Sequence, residues 1–220
     1  MYKTYKIIFL LNSPISFLDT PTFDGVLSYA YAREILPDAA FSQKLNIDKS
    51  EIIDFSNMPI EIHEKGYFMA SKMFFDETNG VESIQKWRKR WANKYDNIAD
   101  FGKQQRKVDV ARGAFKSYDM PIIVKHIPVV WFYFKTDNIY EVKRLVSKHI
   151  HFLGKKRAQG YGEILKFEIE QSNYEFVGAF RPIPLRLADV DINKFEDVKF
   201  THCAWKPPYW MPENFDMCAI

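Results

Sequence analysis

Nine consecutive residues, Gly154-Lys155-Lys156-Arg157-Ala158-Gln159-Gly160-Tyr161-Gly162, constrain this chain more than any other stretch. They contain three of its nine glycines and a run of three cations, and they sit between a helical pattern and a strand pattern. Glycine, having no Cβ, lets a backbone take positive φ and lets another backbone come close. Cations beside such a backbone favour a polyanion in the same space. The stretch therefore reads as a clamp on a nucleic-acid backbone, with Lys155, Lys156 and Arg157 as phosphate partners. Amides near Gly160 and Gly162 are expected to approach a sugar-phosphate or the first helix, and Tyr161 to stack on a base or fill the core. The same residues also fit a tight turn carrying a solvated charge run.

Charge elsewhere favours the first reading. The chain of 220 residues has a net charge of only +3, but Lys86 to Lys116 holds ten basic and three acidic side chains, a local +7. So polarised a distribution is the electrostatic footprint of a nucleic-acid binder. Arg88, Lys89, Arg90, Lys103, Arg106, Lys107, Arg112 and Lys116 are the candidate backbone contacts there. Trp87 and Trp91, four apart, are placed on one helix face, as stacking platforms or as anchors to the core. With 47 % hydrophobic and 27 % charged residues the chain is expected to be globular.

Other chemistries are less well supplied. Cys203 and Cys218 lack CxxC spacing and read as structural thiols in a reducing compartment. Acidic residues do not cluster with metal-site spacing, so no metal and no cofactor is expected. His149 and His151, just before the glycine stretch, are the runner-up candidates for metal-independent RNA cleavage by proton transfer. No leader or membrane span is visible, and a cytoplasmic location with no membrane partner is expected.

Taken in order, residues 3–11 alternate as a strand, with Tyr5, Ile7, Phe9 and Leu11 on one face. Thr22 is a candidate N-cap for a helix over Phe23–Ile35 that Pro37 stops. Ile60 and Ile62 give a short strand, and Tyr67 to Phe75 a longer one after a turn at Gly66. Residues 76–120 form a long basic insertion of the kind that is usually functional. Ile122 to Lys135 reads as a strand, then Asp137 or Asn138 caps a helix with Val142, Leu145, Val146 and Ile150 on its apolar face. Gly154 falls where a left-handed C-cap belongs, and Ile164, Phe167 and Ile169 mark a last strand. The Pro-rich and Trp-rich residues 171–220 predict an irregular extension packed on the core. The succession is that of an α+β fold: a ferredoxin-like (RRM-like) βαββαβ core over 1–170, with its insertion in the central hairpin.

These motifs carry a family resemblance. The stretch 154–162 resembles the glycine-rich loop of the RAMP superfamily of CRISPR proteins. Phe23-Asp24-Gly25-Val26-Leu27-Ser28-Tyr29-Ala30 resembles the opening of the first helix in its effector-subunit branches. Ala111-Arg112-Gly113-Ala114-Phe115-Lys116-Ser117-Tyr118 is similar to the end of the insertion in the Cas-five-like subunit of type IV CRISPR systems. The resemblance implies a non-catalytic subunit that holds the 5′ handle of a guide RNA (crRNA) and caps the backbone filament of an effector complex. Its implied partners are the other subunits, especially a backbone subunit, and the target nucleic acid through the complex. The insertion would act as a thumb on the RNA or a neighbouring subunit. An endoribonuclease processing repeat RNA and a stand-alone single-stranded RNA-binding module are the alternatives.

Overall fold

Strand β1, Lys3–Leu11, runs through the middle of a four-stranded sheet, with Ile7, Phe9 and Leu11 buried on one face and Lys6, Ile8 and Leu10 half-buried on the other. In the computed structural model the described residues are 1–36, 53–92, 109–175, 177–178, 181–187 and 199–219. Helix α1 (Phe23–Ile35) follows, then β2 (Phe74–Phe75), β3 (Val81–Lys89), β4 (Tyr118–His126), β5 (Val129–Thr136), helix α2 (Ile139–His149) and β6 (Ile164–Gln171). The central sheet has the order β2-β5-β1-β6, each neighbouring pair antiparallel. Ile7, Phe9, Val130, Phe132 and Phe134 are fully buried with Leu27, Ala30, Val142, Leu145 and Val146 of the two helices, so one sheet face and both helices share a core. Burying each of the larger side chains is worth about 1.5–3 kcal/mol. The chain is thus α+β, with antiparallel sheets and two helices among the described residues. No helix there is long and apolar enough to cross a membrane.

Several local expectations are corrected. The apolar run 122–135 is two strands: β4 leaves the central sheet and pairs along its whole length with β3, from Val81↔His126 to Lys89↔Tyr118. A two-stranded arm results, and Trp87 lies on a strand rather than on a helix face shared with Trp91. Val81–Lys89 carries charge on both faces and buries none of its side chains, which hid the strand. The segment 67–75 pairs continuously only at Phe74–Phe75; before that it touches its neighbours at single bridges, Ile62↔Phe68 and Ala70↔Phe134. Thr22 occupies the N-cap of α1, but its hydroxyl bonds the Tyr209 hydroxyl at 2.7 Å instead of a helix amide. Asn138 does cap α2, accepting from the Glu141 amide at 3.1 Å.

The C-terminal extension is also more regular than its composition predicts. Strands β7 (Ile183–Pro184), β8 (Phe200–Ala204) and β9 (Phe215–Ala219) form a third antiparallel sheet ordered β7-β9-β8. Val177, Trp205 and Cys218 pack with Tyr67 and Met69 in a small second core. Both thiols are free, and burial pushes that of Cys218 up to about 12, so it behaves as a packed apolar side chain. Beneath this core Arg181 is buried against Asp24 of α1, Nη2 to Oδ2 3.0 Å, and donates to the carbonyls of Phe68 and Trp205. Burial pushes the Tyr209 phenol well up, so it stays protonated and donates to Asp24 Oδ2 at 2.8 Å. The Asp of the first-helix motif therefore fastens the extension to the helix.

Candidate nucleic-acid interface

The glycine stretch is a folded object in its own right. Helix α2 ends at His149, with the Ile150 amide closing on the Val146 carbonyl, so Gly154 is not its C-cap but lies within the following turn. Gly154 (φ +80°), Lys156 (φ 59°), Gly160 (φ +85°) and Gly162 (φ +70°) all take left-handed conformations around a 3₁₀ turn, Arg157–Gln159. Two of the glycines are needed for a second reason. A Cβ on Gly162 would stand 1.9 Å from the Leu153 carbonyl oxygen, and one on Gly154 would stand 2.6 Å from that of Ser16. A Cβ on Gly160 would meet nothing within 4 Å.

Hydrogen bonds fasten the loop to the segment after β1 and close it on itself. Lys155 N–H donates to the Ser16 carbonyl at 2.6 Å, Gly162 N–H to that of Pro14 at 2.8 Å, and Leu153 N–H to that of Gly162 at 2.8 Å. Ser13 Oγ donates to the Gly160 carbonyl at 2.6 Å and accepts from Glu163 N–H at 2.9 Å. The Gly160 amide donates to the Arg157 carbonyl at 2.9 Å. The expectation that the amides of Gly160 and Gly162 reach toward a ligand is therefore corrected: both are spent inside the protein. At these two glycines the loop has no backbone donor to offer.

Lys155, Arg157 and Gln159 are exposed. Lys156 Nζ lies 5.7 Å from the centre of the Trp87 ring, and the Arg157 guanidinium 4.5 Å from that of Tyr29 on α1. The Tyr161 hydroxyl donates to Gln85 Oε1. Gln85 and Trp87, two apart on β3, share one face of the arm, and that face meets the loop. The two basic regions, separated by some seventy residues in the chain, are therefore neighbours. Nothing in the sequence signalled the contact, because the strand period of β3 was masked by its charges.

The arm is less uniformly cationic than its window implied. Asp119, just outside that window, pairs with Arg88 at 2.9 Å and lies 3.8 Å from Arg90. Lys89, Arg112 and Lys116 are exposed along it. Lys103, Arg106 and Lys107 lie outside the described residues. Trp87 N–H donates to the Tyr118 hydroxyl across the hairpin, while Trp91 packs edge-on to Phe115 with ring centres 5.2 Å apart.

His149 is engaged elsewhere. Its Nε2 lies 2.6 Å from Glu34 Oε2, and the same carboxylate takes Lys148 Nζ and Arg144 Nη1, each at 2.9 Å. Hydrogen bonds from His149, Lys148 and Arg144 hold the Glu34 carboxyl down at about 2. His149 is thus one of three side chains clasping α1 to α2. His151 is exposed, and its carbonyl accepts from Ile164 N–H at 2.9 Å.

No curated protein matches the chain. A family model does, over residues 3–220, which takes in the loop, the arm and the C-terminal sheet alike. With a match of that extent, the chain belongs to the family of the CRISPR type IV associated protein Csf3.

Proposed function

We propose that this protein is a non-catalytic subunit of a type IV CRISPR effector complex that grips the guide RNA with its glycine loop and its basic arm. Membership of the family makes other CRISPR proteins its expected partners, a backbone subunit foremost. In this reading the central sheet and its two helices are a ferredoxin-like RAMP core; the strand order β2-β5-β1-β6 within a βαββαβ succession supports it. Lys155, Lys156 and Arg157 hold phosphates of the 5′ handle, and the arm lies along the strand as a thumb. Such contacts position an RNA without reading its sequence.

One observation carries the proposal: Lys156 of the loop and Trp87 of the arm are in contact, so two separate basic regions form one surface. The absence of catalysis is proposed because His149 is committed to Glu34 together with two permanent cations. Replacing Lys155, Lys156 and Arg157 by Ala tests the grip. Affinity for single-stranded RNA should drop, and the slope of log affinity against log salt should flatten by roughly 2, about 0.7 for each lost phosphate contact. Unchanged affinity and slope would sink the reading. Incubating the protein with repeat RNA in EDTA should leave the RNA intact; specific cleavage that His151→Ala abolishes would replace it with the nuclease reading.

A further inference from the structure

Between the start of the glycine loop and the first turns of α1 lies an open groove of about 250 Å³. Phe17, Val26 and Tyr29 supply apolar wall, Lys155 and Arg157 supply positive charge, and Asp19 supplies one carboxylate. Its volume is below the roughly 300–1,000 Å³ of a typical small-molecule cleft, so it suits one unit of a longer chain better than a free ligand. The charge sorts the unit further. Two cations, close to the N-terminal end of a thirteen-residue helix, favour a phosphate. The apolar wall favours a flat, weakly hydrated ring beside it. Arg157 already lies over Tyr29, with its guanidinium 4.5 Å from the ring centre, so a cation–aromatic platform is built before any ligand arrives. Unstacked RNA bases are commonly received on aromatic rings and arginine planes of this kind.

We propose that this groove receives a single unstacked nucleotide of the bound RNA, with its base against Tyr29, Arg157 and Phe17 and its phosphate on Lys155. The proposal rests on the loop being an RNA clamp and adds to it the one place where base identity is felt. Asp19 accepts from an exocyclic amine, as carboxylates do from cytosine N4. Uracil offers no such amine, so cytosine is preferred over uracil.

The test uses the full chain and three ten-nucleotide probes: oligocytidine, oligouridine and a ribose-phosphate strand without bases. Oligocytidine should bind the unaltered protein about ten-fold more tightly than the base-less strand. Val26→Trp, which fills the groove, should bring oligocytidine down to the base-less value without changing the salt slope. Asp19→Ala, an exposed change that leaves the core alone and removes the acceptor, should abolish the preference for cytosine over uracil. The groove is refuted if Val26→Trp, folded by its melting curve, keeps full affinity for oligocytidine. If Val26→Trp does not fold, Asp19→Ala decides: a cytosine preference that survives it overturns the proposal. Failure of the underlying clamp looks different, because the base-less strand would then bind the triple Lys155, Lys156, Arg157→Ala protein as tightly as the original.

Discussion

The glycine loop and the arm carry similar charge and meet face to face, yet they are held in opposite ways. The loop is fixed by its backbone: three left-handed glycines, two of them closely approached by carbonyls, and hydrogen bonds from Ser13, Lys155 and Gly162 that weld it to residues 13–16. The arm is a two-stranded ribbon exposed on both faces beyond its base, with Ile84 at 69 % and Met120 at 44 % exposure. Isolated hairpins of that kind are marginally stable in water. It relies on side chains, the Arg88–Asp119 pair and the Trp87–Tyr118 contact among them. A preformed anchor beside an adaptable ribbon loses little entropy at one point and keeps freedom to follow its partner at the other.

Gly162→Ala should expose the difference most strongly. Its Cβ is excluded by the Leu153 carbonyl and its φ is left-handed, so two loop hydrogen bonds must break. The expected loss is roughly 4 kcal/mol, a fall in Tm of about 10 °C. A variant that melts with the original protein would mean the loop gives as easily as the arm. Gly160→Ala should cost only the backbone strain, about 1–2 kcal/mol and a fall of about 4 °C, because space around it is open. Equal losses at the two glycines would show that φ alone, and not close approach, fixes the loop.

Trp87→Ala bears on the ribbon. Main-core melting should move by less than about 2 °C, while amide hydrogen exchange in β3 and β4 speeds and that of the loop does not. A Tm loss matching that of Gly162→Ala would make the arm part of the same cooperative unit. The smallest effect is expected at the clasp between the helices, which neither region touches. Glu34 has its carboxyl held at about 2 against an ordinary 4.5. Its contribution is present above 4.5 and is lost as pH falls toward 2, so Glu34→Gln should flatten acid destabilisation within that window. An unchanged acid profile would show that the three cations contribute nothing at Glu34.

What the sequence made legible follows from how each region is held. Period-two alternation in residues 3–11 and the helical spacing from Ile139 predicted β1 and α2, because one face of each is buried. The glycine stretch announced its backbone through residue type. In the arm, β3 stayed hidden because none of its side chains is buried and no apolar rhythm survives, whereas the end of β4 that buries Ile122 and Val124 was read as strand. The C-terminal sheet was hidden for another reason: prolines and tryptophans dominate the connection between β8 and β9, and its strands are only two to five residues long. Of the candidate site, the cations of the loop were legible, whereas the meeting of Lys156 with Trp87 and of Tyr161 with Gln85 depends on a tertiary contact that leaves no local pattern.

The Arg181–Asp24–Tyr209 knot gives the molecule a direction in time. Asp24 leaves the ribosome more than 150 residues before the arginine that neutralises it and the phenol that completes its hydrogen bonds. Until then a carboxylate destined for the interior must stay in water, since an uncompensated charge there costs several kcal/mol. The first turn of α1, which also floors the groove beside the glycine loop, therefore settles only when the C-terminal segment arrives. A nascent or truncated chain would carry the loop's full charge without its finished receptor surface.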